Sequence, residues 1–320
     1  MSKRCLITGG AGFIGSHLAE ELVKRGYQVT IVDNFYKGKS SYHTNLVDSI
    51  PIIPISVLEK GTIYELVQQH DVVFHLAAIL GVKTTMEKSI ELIETNFDGT
   101  RNILQAALAG KKKVIFASTS EVYGKAKPPF KEEGDRLYGA TSKIRWSYAL
   151  CKTLEETLCL GYALKGLPVT IVRYFNIYGP RAKDGPYAGV IPRFIHAALQ
   201  GEEILVYGDG TQTRCFTYVS DAVEATISAM DTKANGEILN IGSENEKSVQ
   251  EVAENIHQLT NSSSKIVHVP FEEVYPHGFE EIPNRRPDVT KLKEILQFQP
   301  STSWERGLNE TISWFRDTKN

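Results

Sequence analysis

"RCLITGGAGFIGSHLAEELVKRG", Arg4 to Gly26, decides the fold. A short apolar run ending at Thr8 leads straight into three glycines, Gly9, Gly12 and Gly15, and then into a helical pattern. Glycines at this spacing let the backbone turn sharply and approach a pyrophosphate. The phosphates then rest on the first amides of the following helix, those of Phe13, Ile14 and Gly15. Asp33 ends the next strand-like run, 18 residues after Gly15. A carboxylate there accepts hydrogen bonds from an adenosine ribose and repels a 2′-phosphate, so the cofactor expected is NAD rather than NADP.

Outward from this unit the pattern repeats. "QVTIVD", "DVVFHLAA", "KVIFAST" and "PVTIVRYFN" are nearly continuous apolar runs, as buried parallel strands are. Helical segments lie between them at about 13–24, 60–69, 88–109 and 142–165. The alternation predicts an α/β fold, a doubly wound parallel sheet with helices on both faces and ligands at the carboxyl ends of the strands. After Asn176 the chain is richer in Gly and Pro. It then reads as a helix near 190–200, strand, turn, strand and helix over "EILVYGDGTQTRCFTYVSDAVEATISAM", and further short strands and helices. The expected division is 1–176 for the dinucleotide, with elements near 216–242 returning to it, and 177–320 for a smaller α/β substrate-binding region.

The formal net charge of −2 argues against nucleic acid or an anionic membrane as main partner. Lys111, Lys112 and Lys113 form a short basic tract expected to be a solvated loop. Cys5, Cys151, Cys159 and Cys215 show no metal-ligand spacing and are expected to be reduced thiols of a cytoplasmic protein. No apolar run approaches the ~18 residues of a membrane span.

"STSEVYG", Ser118 to Gly124, closes the fourth strand and delivers Thr119, Ser120 and Glu121 to the ligand edge. Downstream lies "RWSYALCK", Arg145 to Lys152. On a helix, Tyr148 and Lys152 share a face, and the ammonium there is expected to lower the phenol's pKa. A tyrosinate is a competent base for a sugar hydroxyl, with Thr119 bonded to the same oxygen. Arg145 has two readings at this stage, a grip on substrate or an exposed helix charge.

The chain resembles an extended short-chain dehydrogenase/reductase of the nucleotide-sugar epimerase, dehydratase and decarboxylase group. "TGGAGFIG", "HLAA", "ETNFDGT", "STSEVYG", "YALCK", "VRYFNIYGPR", "GTQTRCFTYVSD" and "NIGS" fall in that family's order across nearly the whole length. The resemblance implies a Rossmann NAD domain, a smaller domain gripping a UDP- or dTDP-sugar, and a homodimer paired through two long helices. It implies Thr119, Tyr148 and Lys152 as catalytic residues. Asp33, Asn34, Leu76, Ala77 and Asn96 fall near the dinucleotide, while Asn176, Arg214 and Arg286 fall near the sugar or its diphosphate.

Members of the group oxidise sugar carbon 4 to a ketone and differ in the next step. Dehydratases carry Asp where Ser120 stands, so the acid for dehydration is missing here. "STSEVYG" is similar to UDP-glucuronate decarboxylases, and "RWSYA" to UDP-apiose/xylose synthases, in which the arginine faces substrate. The favoured expectation is oxidative decarboxylation of a UDP-hexuronate, with Arg145 on the carboxylate and Glu121 assisting proton or water handling. A UDP-sugar 4-epimerase is the alternative, and a non-catalytic NAD-binding regulator the reading from another class.

Overall fold

The computed structural model describes residues 2–36, 50–182, 189–275 and 279–318. The first half alternates β1 (Arg4–Thr8), α1 (Phe13–Lys24), β2 (Gln28–Val32), β3 (Ile52–Ile53), α2 (Lys60–Gln69), β4 (Val72–His75), α3 (Val82–Glu87), α4 (Ser89–Gly110), β5 (Lys113–Thr119), α5 (Ser147–Leu164) and β6 (Val169–Tyr174). The second half holds β7 (Ile177–Tyr178), α6 (Val190–Gln200), β8 (Ile204–Tyr207), β9 (Thr213–Cys215), β10 (Thr217–Tyr218), α7 (Val219–Ser228) and β11 (Ile238–Ile241). It continues with β12 (Glu246–Ser248), α8 (Val249–Thr260), β13 (Ile266–Val269), α9 (Phe271–Val274), β14 (Asn284–Arg285), α10 (Thr290–Leu296) and α11 (Trp304–Asp317).

Seven strands form one parallel sheet in the order β11-β6-β5-β4-β1-β2-β3. The chain runs outward from β1 in one direction and, beginning with β4, in the other. The carboxyl ends of β1 and β4 therefore flank the switch point where such sheets bind ligands. Strand alternation fixes what each face buries. Cys5 and Ile7 pack with α1, α6, α7 and α8, whereas Leu6 packs on the opposite face with α2, α4 and α5. Two buried faces explain why the strands are apolar throughout rather than alternating. Late in sequence, α7 packs against α1 and β11 becomes the strand beyond β6.

The smaller elements cluster past the carboxyl edge. β9 pairs antiparallel with β12 and parallel with β14, setting Arg285 opposite Arg214. α8 starts where it does because Ser248 and Glu251 form a reciprocal capping box.

One strand has no counterpart in the sequence reading, and two local features depart from expectation. β3 is a two-residue edge strand between Pro51 and Pro54, and prolines confine a strand to such an edge. The helix expected from 142 starts at Ser147, behind a 3-10 turn over Ile144–Trp146. Trp146 is wholly buried and its indole N–H donates to Glu280, an anchor that a regular helix would have turned away. Lys113 opens β5 rather than lying in a solvated loop, and its ammonium donates to Thr170 Oγ1 at 2.6 Å.

Candidate active site

The glycine loop follows β1 because no other residue fits it. Gly9 has φ +72°, and a Cβ there would lie 2.7 Å from the Ala77 amide nitrogen. A Cβ on Gly15 would collide with the Gly9 carbonyl. α1 begins beyond Gly12 without a side-chain cap, so its first amides, those of Phe13, Ile14 and Gly15, lack helical acceptors and make a ready anion site. Asp33 accepts from the Ala11 amide at 3.1 Å and the Phe35 amide at 2.9 Å, which pins the carboxylate beside the loop. Each carboxylate oxygen keeps a lone pair for a further donor. Asn34 is exposed and accepts from the Tyr36 amide at 3.1 Å. Leu76 and Ala77 form the opposite wall. Asn96 fixes that wall by bonding both ways with the Ile79 backbone, at 2.7 and 2.9 Å. Its amide therefore orders the loop that forms this wall.

At the end of β5 the chain tightens into a 3-10 turn over Ser120–Tyr123, capped by Thr119 Oγ1, which accepts from the Glu121 amide at 3.2 Å. Ser120 is buried in this turn. Tyr148 enters from α5 and lies beside Thr119. Burial first, then the carboxylates of Glu155 and Glu121, hold the phenol well above its ordinary pKa, against the pull of Thr119. This differs from the expected lowering by Lys152. The physical reason is first the burial of the phenol and then the carboxylates beside it; the Lys152 ammonium is meanwhile spent on other partners, 3.2 Å from the Ala117 carbonyl and 3.3 Å from Glu155, over the Phe116 ring. The edge is braced below by Arg173, which pairs with Glu156 through two contacts of 2.8 Å, while Ser118 bonds the same carboxylate.

Arg145 is not an exposed charge. It is 4 % exposed, stacks over Trp146 at 4.9 Å, and pairs with Glu121 at 2.8 Å. Its Nε donates to the Glu280 carbonyl. Glu121 is shared, because Arg285 grips its other oxygen. Burial pushes the Glu121 carboxyl up, but Arg285 and Arg145 outweigh it and hold it at about 2. Arg214 joins this cluster, pairing with Glu281 and donating to the Thr213 carbonyl at 2.7 Å. Burial and the neighbouring Arg285 pull its guanidinium down to about 10. Asn176 sits at φ +42° and donates to the Cys215 carbonyl at 3.1 Å, tying β7 to β9.

Arg285 was not singled out in the sequence, where Arg286 was. Along a strand adjacent residues face opposite ways. Arg286 is exposed, and its carbonyl accepts from the Phe130 amide at 2.8 Å, which fixes the register and turns Arg285 inward. Arg285 Nε is buried without a partner among the described residues, a donor left for a ligand. Among those residues no group of His, Cys, Asp and Glu is placed to hold a metal ion, and no helix is long and apolar enough to cross a membrane.

A family model described as the NAD dependent epimerase/dehydratase family matches residues 5–242. The chain is 84% identical over 320 residues, 100% of both chains, to a UDP-N-acetyl-alpha-D-glucosaminuronate decarboxylase of Bacillus cytotoxicus. It is 36% identical to UDP-glucuronic acid decarboxylase 1 of Xenopus tropicalis, over 98% of this chain and 72% of that one. Among solved structures it superposes with TM-score 0.87 on a UDP-glucuronic acid 4-epimerase from Bacillus cereus in complex with UDP-glucuronic acid and NAD. That match is 30% identical and covers 98% of this chain and 99% of the other. A glycine cradle at a parallel-sheet switch point, a Tyr148 and Lys152 pair on its edge and these matches agree: the chain belongs to the NAD dependent epimerase/dehydratase family.

Proposed function

We propose that the chain decarboxylates a UDP-hexuronate, UDP-N-acetylglucosaminuronate first among them, to the UDP-pentose through a transient 4-keto sugar. The observation that carries this is the convergence of buried Arg145 and Arg285 on one carboxylate, Glu121, beside Tyr148. Two guanidiniums that each hold one oxygen of a carboxylate suit a uronate by the same charge-assisted hydrogen bonding. The 84% identical decarboxylase supports the choice of reaction and of the 2-acetamido sugar.

Gly9, Gly12, Phe13, Ile14, Gly15, Asp33, Leu76 and Ala77 would hold NAD, with Asn34 and Asn96 shaping its walls and Lys152 reaching its ribose. Bound NAD supplies an acceptor for the hydride of carbon 4 and returns it at the end. Thr119 and Tyr148 hold the carbon-4 hydroxyl, and Tyr148 takes its proton in the ionised form, which the positive charge of bound NAD would favour against the burial that raises its pKa. With carbon 4 a ketone, the carboxylate is β to it. The bond from carbon 5 to the carboxyl carbon breaks, its electron pair enters the carbonyl, and carbon dioxide leaves. Tyr148, now protonated, donates to the enolate oxygen, a task that its raised pKa suits. Glu121 is ionised at neutral pH, so it orients a guanidinium or a water rather than storing a proton, and carbon 5 regains its proton from such a water. Arg214 and Asn176 lie toward the diphosphate and sugar, with Arg286 at the exposed rim.

The test is incubation with UDP-N-acetylglucosaminuronate and, separately, UDP-glucuronate, followed by mass spectrometry. Loss of one carbon dioxide is expected. Loss of one water, or an unchanged mass with an inverted carbon 4 by NMR, overturns the reading in favour of a dehydratase or an epimerase.

We further propose the division into a dinucleotide part, 1–176 with the returning segment near 216–242, and a sugar-nucleotide part over 177–320. A homodimer through α4 and α5 is also proposed. Ile90 and Ile93 on α4, and Leu150 and Leu154 on α5, are exposed apolar residues on adjacent long helices. A second copy paired antiparallel would cover both faces at once. Leu154→Glu is expected to give a folded monomer by light scattering, and an unchanged mass would refute the interface. Four buried free thiols suit a reducing, cytoplasmic setting.

A further inference from the structure

We propose that Glu155 is a positioning residue for the reaction, fixing Lys152 by a buried ion pair and tying that pair to the glycine-rich edge through an oriented chain of hydrogen bonds. The inference rests on the assignment of Tyr148 and Lys152 made above.

Glu155 lies one turn beyond Lys152 on α5 and is wholly buried. Its carboxylate stands 3.3 Å from the Lys152 ammonium and accepts from the Thr100 hydroxyl and, weakly, from the Cys151 thiol. The neighbouring Glu156 is fully used by Arg173, Arg136 and Ser118, so the two glutamates have separate tasks. Beyond Thr100 the chain continues to His75 Nε2 at 3.0 Å, from His75 Nδ1 to Thr8 Oγ1 at 2.7 Å, and from there to the Ala77 amide at 3.3 Å.

Donor counting gives this chain one direction. A carboxylate only accepts, so Thr100 spends its single proton on Glu155. Thr100 must then accept from His75, which places the imidazole proton on Nε2. Burial, with the Lys152 charge adding to it, holds His75 neutral with its pKa near 3, so Nδ1 is bare and accepts from Thr8. Thr8 in turn accepts from Ala77, the residue against which Gly9 packs. The orientation of every link follows from the charge on Glu155.

The second consequence concerns Tyr148. A lysine with a carboxylate 3.3 Å away acts on its surroundings as a dipole, whose field falls off faster than that of a lone charge. The groups acting on the phenol are Glu155 and Cys151 from α5, and Glu121 and Thr119 from the end of β5 and the turn after it, with Lys152 behind Glu155. Arg145 and Arg285 act behind Glu121. Of these, Glu155 can be neutralised without disturbing the arginine cluster. Glu155→Gln leaves Lys152 as a single positive charge and removes a carboxylate that favours the neutral phenol, so Tyr148 ionises at lower pH.

The experiment is the pH profile of kcat on UDP-N-acetylglucosaminuronate for wild type, Glu155→Gln and Glu155→Asp. The acidic limb is expected to move about one pH unit toward acid in Glu155→Gln. It should stay in place in Glu155→Asp, which keeps the charge but shortens the reach and lowers kcat. A carboxylate with a purely structural role would cost stability and rate with no displacement of the limb, so coincident limbs overturn the proposal. Independently of any variant or activity, 15N NMR of the wild-type protein is expected to show His75 as the neutral Nε2–H tautomer. An Nδ1–H tautomer or an imidazolium at neutral pH overturns the chain. Turnover unimpaired in Tyr148→Phe would instead sink the underlying assignment.

Discussion

Tyr148→Phe is expected to lower kcat by roughly 10²- to 10⁴-fold, the usual worth of a positioned acid–base group, while leaving the fold and NAD retention intact. The ring stays within a small apolar cluster with Ile79, Leu92, Phe97 and Cys151, so packing is conserved and only the hydroxyl is lost. Thr119 loses a neighbouring hydroxyl but keeps the Glu121 amide. The informative comparison is KM against kcat. The carboxylate and diphosphate grips lie elsewhere, on Arg145, Arg285 and Arg214, so KM should stay nearly constant. A rise in KM with kcat unchanged would show that Tyr148 only binds substrate.

Glu121→Gln is expected to have the second large effect, on stability and turnover together. In wild type one carboxylate neutralises two guanidiniums that are almost entirely buried. Removing its charge leaves Arg145 and Arg285 as adjacent like charges with only an amide between them. Breaking a buried ion pair from one side typically costs about 3–5 kcal/mol. Thermal unfolding should report the loss, and added UDP-hexuronate should recover part of it, because its carboxylate replaces the missing charge. An unchanged melting temperature would mean the arginines have other counter-charges. The pH dependence has a definite sign. The folded carboxyl titrates at about 2, below the ~4.3 of an unfolded glutamate. Its contribution is complete above the unfolded value and is lost as pH falls from there through the folded one. Wild type should lose it progressively between about pH 4 and pH 2, whereas Glu121→Gln should show no such segment in its stability curve.

The parts legible in the sequence are those set by local chemistry. Gly9 and Gly15 announce the loop because only glycine fits against the Ala77 amide and the Gly9 carbonyl. Tyr148 and Lys152 announce themselves by spacing on one helix. What spacing could not carry is orientation set by distant partners. Arg145 belongs to a 3-10 turn, and it faces inward because Trp146 is anchored by Glu280, far along the chain. The choice between Arg285 and Arg286 depends on the Phe130 register, a contact between segments with no common pattern. Glu155 and Glu156 look alike in sequence, and the sheet alone separates them, setting Arg173 beside one and Lys152 beside the other. The expected lowering of the Tyr148 pKa by Lys152 is reversed first by burial of the phenol and then by Glu155 and Glu121, and neither the burial nor these neighbours follow from spacing.

Glu121, Arg145, Arg214 and Arg285 reach one point from four well-separated segments, and β11 closes the main sheet from late in the chain. Closing such long loops is costly in entropy, so contacts of this range form after local ones. During synthesis the glycine loop and β1 to β6 can collapse early, while Glu121 waits for its second arginine until β14 has emerged. A chain that ends before β14 lacks the second arginine of Glu121, so the buried cluster can be complete only once that strand is present.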